Sequence, residues 1–231
     1  MIGIIGAMEE EVEAILALME INKKEMNHGY TFYEGTMAKK DVVLVQGGIG
    51  KVNASISTTL LLTQYPIDFV INIGSAGGLS LNQNVGDVVI STGVLHHDVD
   101  VTAFGRQRGE VPGMPCVFQP DAVALKQVEA ILQDSKQPYH LGLIASGDQF
   151  ICREDQVLQI LDFFPDTVCA EMEAASIAQV CYVFDIPFII TRSLSDIYRK
   201  GENHIQFDEY LKHASQSSAK MCYRLVSTLS Q

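Results

Sequence analysis

The sequence predicts an α/β protein, a three-layer sandwich with a largely parallel sheet between helices. Three observations carry that expectation. Short apolar runs alternate with longer stretches of helical periodicity, the pattern of strands and helices packed in layers. The short runs are rich in Val and Ile and apolar on both faces, as interior strands of a covered sheet must be. No Ser- or Pro-rich linker, low-complexity tract or repeat interrupts the 231 residues, so 1–231 reads as a single domain.

The elements follow in order. Ile2–Ile5 is a buried strand that runs straight into a helix over Glu9–Glu20. Val42–Gln46 is the next strand, followed after a Gly-rich break by a helix over Val52–Gln64. Strands over Phe69–Ile73 and Asp87–Ser91 come next, then a helix over Asp121–Gln133. A strand over Leu141–Ser146 precedes helices over Asp155–Phe163 and Ala174–Phe184. Phe188–Ser193 is the last strand. The closing helix, Phe207–Leu229, sets Phe207, Tyr210, Leu211, Ala214, Met221, Cys222, Leu225 and Val226 on one stripe. The stretch His96–Gln119 holds several Gly and Pro residues and little periodicity; it reads as a long excursion, and long ordered loops often carry function.

Composition narrows the function. A formal charge of −12, from 16 basic and 28 acidic residues, disfavours nucleic acid and anionic membrane as partners, because both want basic patches. No apolar run reaches the ~18 residues of a membrane span. The N-terminus has no basic stretch followed by an apolar one, and acidic residues arrive by Glu9, which is unlike a signal peptide. Five scattered cysteines with no CxxC read as reduced, mostly buried thiols of a cytosolic protein.

Two segments aim carboxylates at the rim of the expected sheet. Ligands of open α/β sheets sit at the carboxyl ends of strands. Glu9-Glu10-Glu11 follows the first strand and Arg192-Ser193-Leu194-Ser195-Asp196 ends the last. That points to a hydrolytic pair, one carboxylate to activate water and one to protonate a leaving group. The helix dipole alone also accounts for three Glu in a first turn. Helical geometry spreads them by about 100° per residue, so one or two at most face the crevice. Asp196 reads either as a turn or ion-pair residue or as a partly desolvated carboxyl with a raised pKa, suited to a general acid. Glu171-Met172-Glu173 precedes an Ala-rich helix; it reads as helix capping or as an acceptor of paired sugar hydroxyls.

Other motifs exclude chemistry. Gly74-Ser75-Ala76-Gly77-Gly78 permits close backbone approach to a ligand but is no GxSxG nucleophile elbow. Gly47-Gly48-Ile49-Gly50-Lys51 fails as a triphosphate loop, since Val45 stands at the first Gly position and Val52 at the Ser/Thr position. His96 and His97 point to opposite faces if extended, which argues against one shared metal ion.

Taken together, seven segments in order resemble the bacterial 5′-methylthioadenosine/S-adenosylhomocysteine nucleosidases of the purine nucleoside phosphorylase-like superfamily. They are Ile4–Glu11, Gly48–Val52, Asn72–Gly78, Asp100–Gly105, Ser146–Ile151, Glu171–Ala174 and Ser195-Asp196. The resemblance implies a twisted, mostly parallel but mixed sheet, and cleavage of an adenine nucleoside at its N-glycosidic bond with no metal or organic cofactor. It implies that Glu11 activates water and Asp196 protonates N7 of the leaving adenine. Glu173 accepts from the ribose hydroxyls, Met172 packs under the sugar, Phe150 stacks on adenine, and the Ile151 backbone reads the purine edge. Ser75, Arg192 and Met8 neighbour the ribose and the water; Ala76, Gly77 and Glu171 complete the substrate-binding set. Phe207 and Ile49 cover the sugar and the 5′-substituent. Val101, Phe104 and Pro112 match positions that a partner subunit lends to the 5′-pocket, which implies a homodimer.

Two departures stand out. Ile197–Glu202 is more charged and about one residue longer than expected of the family, which bears on loop motion and substrate breadth. Phosphorylase relatives carry arginine where this chain has Asn72, and a phosphate site without its cation holds the anion poorly, which favours water. The rival readings are a phosphorylase, a futalosine-type hydrolase, and a non-catalytic nucleoside-binding protein that kept the pocket.

Overall fold

The computed structural model describes residues 1–198, 200 and 203–229, except for the side chains of 203–206, 208 and 209. The described strands are β1 (Ile2–Gly6), β2 (Glu20–Asn27), β3 (Tyr30–Met37), β4 (Lys40–Gln46), β5 (Phe69–Asn72), β6 (Ser75–Gly78), β7 (Val88–His96), β8 (Tyr139–Ser146), β9 (Thr167–Glu171) and β10 (Phe188–Ile197). The helices are α1 (Glu9–Leu16), α2 (Lys51–Gln64), α3 (Ala122–Asp134), α4 (Glu154–Phe163), α5 (Ala174–Val183) and α6 (Asn203–Thr228).

All ten strands form one sheet in the order β2-β3-β4-β1-β5-β10-β6-β9-β8-β7. The centre is parallel: β1 pairs with β4 and β5, and β5 with β10. Beyond β10 the sheet curls, because β7 returns to pair antiparallel with Thr191–Ser193 of β10. β10 therefore belongs to an open sheet at its start and to a closed five-strand loop at its end. The carboxyl ends of β1, β5 and β10 meet where the two halves join, which is the crevice such a switch opens.

Two apolar layers cover the sheet. One face packs Ala54 and Leu61 of α2 and Ala174, Ile177 and Cys181 of α5 against Val43, Val45 and Ile190. The other packs Val12 and Ile15 of α1, Val128 of α3 and Leu225 of α6 against Ile4, Leu44 and Ile189. The three-layer, mixed α/β expectation is met. Cys169, Cys181 and Cys222 are buried thiols, and no cysteine is bridged.

Differences from the sequence reading have local causes. The helix expected to reach Glu20 stops at Leu16, in tight turns that close on Ile15 and Leu16 carbonyls. Glu20 then opens the β2–β3 hairpin, which the sequence reading left out. β2 is a polar, largely exposed strand, so it carries no apolar signature. The hairpin turns at His28 and Gly29, φ 49° and 85°, and the β3–β4 turn uses Ala38 and Lys39, φ 49° and 65°. Paired positive φ values suit two-residue hairpins, but Ala-Lys is a poor signal for them. β6 and β9 are short, and β6 is two glycines, a serine and an alanine, with little to read.

Gly35 shows how tightly this hairpin is held. A Cβ there would lie 2.1 Å from the backbone oxygen of Glu20, and a backbone atom cannot turn aside. Gly35→Ala is expected to destabilise the protein by about 1–3 kcal/mol, read as a lower denaturant midpoint, and to expose β2 amides to hydrogen exchange. An unchanged midpoint would mean that the hairpin yields freely.

Candidate active site

A cavity of about 310 Å³ lies at the sheet junction. Met8, Glu11, Ile49, Ser75, Ala76 and Gly77 line it. Glu171, Met172 and Glu173 enter from the end of β9 and Arg192 and Asp196 from β10, and Phe150 and Phe207 line it as well. The two carboxylates singled out from opposite ends of the chain thus share one hollow. Ala7, Ile73, Gly74, Ala170 and Ser195 also line it; their small or apolar side chains carry no chemical signal.

Of the four glutamates in α1, only Glu11 is buried. Its carboxylate folds back over the helix start. Oε2 accepts the Ala7 N–H at 2.8 Å and the Met8 N–H at 3.1 Å, and Oε1 accepts the Ser75 N–H at 3.1 Å. Burial raises the Glu11 pKa, against the opposing pull of those amides and of Arg192. The glutamate that folds over the helix start is thus the one that lines the cavity.

Asp196 is 1% exposed and its Oδ1 accepts the Ser195 Oγ–H at 2.9 Å. A β-bulge aims it: Leu194 pairs with Ala76 and Asp196 with Gly77, so two steps on β10 match one on β6. The bulge breaks the alternation of faces. Leu194 stays in the core while Asp196 lines the cavity. A Cβ on Gly77 would come within 3.2 Å of the Asp196 carboxylate, so glycine allows that approach.

Arg192 is 2% exposed, and its charge is met by protein groups. Nη2 donates to Glu171 Oε2 and to Asn72 Oδ1, both at 2.7 Å, and Nη1 to the Thr191 carbonyl at 2.9 Å. Asn72 in turn donates to the Ile5 carbonyl at 2.9 Å. Glu171 lines the cavity, yet its carboxylate is fully engaged. Oε1 accepts from Ser146 Oγ, and Oε2 accepts from Arg192 and from the Glu173 and Ala174 amides at 3.0 and 2.9 Å. It is a strut for Arg192 and for the start of α5 rather than a free acceptor. Ion pairs this deep persist only when their remaining hydrogen-bonding groups are satisfied.

Glu173 is the freer carboxylate of the two. Its Oε1 accepts the Gly50 N–H at 2.8 Å. Burial, and then repulsion from Glu171, push its pKa up to about 8. Phe150 is 43% exposed, and its ring meets that of Phe207 edge-on, 6.0 Å between centroids and 78° between planes.

Two sets of the expected residues stand outside this cavity. The Ile151 side chain does not line the cavity; it packs with Leu95, Ala145 and Val157, which leaves only its main chain for a ligand. Val101, Phe104 and Pro112 are also absent from this cavity, and Phe104 is 85% exposed, so within the chain they complete nothing. In Ile197–Glu202, Arg199, Gly201 and Glu202 lie outside the described residues. His96 and His97 are buried, and burial lowers both pKa values. His96 Nε2 contacts Gln179 Oε1 at 2.9 Å. Among the described residues no three metal-ligating side chains cluster, and no helix is long and apolar enough to cross a membrane.

This geometry defines an α/β enzyme built to hold a compact, partly apolar ligand among carboxylates, and the comparisons agree. The model of the phosphorylase superfamily matches residues 1–227. The 5′-methylthioadenosine/S-adenosylhomocysteine nucleosidase of Marinomonas sp. is 48% identical over 226 residues, 97% of each chain. The nucleosidase of that name from Neisseria meningitidis, solved in complex with methylthio-immucillin-A, superposes with a TM-score of 0.94 at 42% identity, covering 99% of both chains. The futalosine hydrolase of Helicobacter pylori superposes at 0.93 with 29% identity, covering 99% of this chain and 97% of that one. The chain belongs to the 5′-methylthioadenosine/S-adenosylhomocysteine nucleosidase family of the phosphorylase superfamily.

The raised carboxylates set a pH signature on stability. Folded Glu11 and Glu173 hold protons that the unfolded chain has already released above its ordinary value of 4.5. Their contribution is complete below that pH and fades as pH rises toward the folded values. Thermal melts are expected to show stability falling between about pH 5 and pH 8, and Glu173→Gln is expected to flatten that fall. A variant that melts in parallel with the wild type across the range would remove Glu173 from this account.

Proposed function

We propose that the chain hydrolyses the N-glycosidic bond of 5′-methylthioadenosine and S-adenosylhomocysteine, releasing adenine and the 5-thio-substituted ribose. The observation that carries this reading is the convergence of Glu11 and Asp196 on one cavity lined by Ser75, Ala76 and Gly77. Glu11 takes a proton from water, and a raised pKa brings its basicity nearer to neutral pH. Asp196 gives a proton to N7, so adenine departs neutral. The C1′–N9 bond breaks ahead of water attack and leaves an oxocarbenium-like ribosyl centre. Each positioned acid or base contributes ~10²–10⁴-fold. Glu173 accepts from the ribose hydroxyls, with Met172 beneath the sugar, and such bonds tighten as charge develops. Phe150 stacks on the purine and the Ile151 main chain reads its edge. Met8, Ile49 and Phe207 cover the sugar and the sulfur substituent.

Charge supports water over phosphate. Arg192 is the cation of the cavity, and Glu171 and Asn72 occupy its Nη2, while Glu11, Glu173 and Asp196 surround the reacting space. An incoming phosphate finds that cation already paired. The futalosine hydrolase likeness keeps a second hydrolytic reading open, differing in what the 5′-pocket accepts. Val101, Phe104 and Pro112, lent by one protomer to the site of its partner, would finish that pocket in a homodimer, and the exposure of Phe104 supports this. A single domain over 1–231, working in the cytoplasm in methionine salvage, completes the proposal.

Adenine release from methylthioadenosine is expected to proceed without phosphate and to yield an unphosphorylated sugar, checked by chromatography; a ribose-1-phosphate product would move the chain among the phosphorylases. Glu11→Gln and Asp196→Asn are each expected to keep the fold and adenine binding while losing ~10²-fold or more in kcat. Near-normal turnover in either would strip that residue of its role.

A further inference from the structure

Two successive amides open α2, and a carboxylate from a different part of the chain takes each. The Gly50 N–H goes to Glu173, and the Lys51 N–H donates to Asp148 Oδ1 at 2.8 Å. The first carboxylate is the ribose acceptor proposed above. The second does not line the cavity. Asp148 is nonetheless tied down further. Its own N–H donates to Asp98 Oδ2 at 3.1 Å, and Asp98 Oδ1 accepts from Lys51 Nζ at 2.6 Å.

These contacts close a ring through three distant segments: the start of α2, the chain after β7 and the turn after β8. Lys51 and Asp98 side chains are only 20% and 19% exposed, so their pair is partly shielded from solvent. Burial alone would raise the Asp98 pKa; the Lys51 ammonium and the Asp148 amide outweigh it and hold the group below its ordinary value. Asp148 also lies close beside Gly50, since a Cβ there, at φ +94°, would sit 3.1 Å from Asp148 Oδ1. Two residues past Asp148 stands Phe150.

We propose that Lys51, Asp98 and Asp148 form a positioning clamp that holds the Gly50 amide on Glu173 and sets the Phe150 ring over the cavity. The clamp rests on the roles given above to Glu173 and Phe150. Asp98 also opens the segment that carries Val101 and Phe104, so one clamp roots both the purine wall and the segment offered to a partner.

A double-mutant cycle on the full-length protein tests it, with methylthioadenosine as substrate. Asp148→Ala is expected to lower kcat/KM on the order of tenfold, about the worth of one charge-assisted hydrogen bond. In a Glu173→Ala background the same change is expected to lower it by less than about threefold, because the amide it aims no longer has a partner. Asp148→Asn, whose Oδ1 still accepts the Lys51 N–H, recovers most of the loss. Equal losses in both backgrounds overturn the clamp, since a purely structural residue acts additively. Should Asp148→Ala not fold, Lys51→Ala takes its place with the same expectation. Calorimetric titration with adenine reads the clamp without turnover: Asp148→Ala weakens binding several-fold in the wild type but not in Phe150→Ala. An equal weakening in both overturns the clamp, while a wild type that binds adenine yet cleaves nothing overturns the proposed reaction and leaves the clamp standing.

Discussion

One buried cation organises this protein. Arg192 sits at the point where β10 leaves the open sheet, with Glu171 and Asn72 on its Nη2. A guanidinium so far from water is tolerable only with a paired carboxylate, and removing one partner of such a pair typically destabilises by about 3–5 kcal/mol. Glu171 therefore has to lie at the end of β9, with Ser146 of β8 and the first amides of α5 completing its hydrogen bonds. That demand fixes where β9 ends and α5 begins, and so where Glu173 stands. The same cation stabilises ionised Glu11 from across the cavity.

The remaining carboxylates live in the field that this pairing leaves behind. With Arg192 matched to Glu171, nothing fully compensates Glu11 and Glu173, and burial lifts both pKa values. Groups lifted this way are poorly placed for stability and well placed for proton transfer near neutral pH. Amide donors temper the effect at Glu11, where three backbone N–H groups face the carboxylate. The site is preorganised by main chain, which cannot relax as charge moves during the reaction.

Much of this was legible in the chain. The Val/Ile runs of β1, β4, β5 and β10 announce interior strands because such strands are apolar on both faces. Glu11 and Asp196 drew attention because each follows such a run, and both line the cavity. What escaped notice lacked a local signature. β2 is polar because it lies at a sheet edge, and β6 is too short and glycine-rich to pattern. Glu171 reads as a helix cap or a ligand contact; it does accept the first amides of α5, but its ties to Arg192 and Ser146, 21 positions ahead and 25 behind, lie outside any local window.

By itself the sequence determined the layers, the parallel core and the residue types at the strand ends, because periodicity and burial act over a few neighbouring positions. Tertiary structure alone decided which carboxylate is fully engaged and which less so, because that depends on the partners that meet it. It also decided that β10 bulges at Ser195, turning Asp196 inward, since register is settled between strands and not along one.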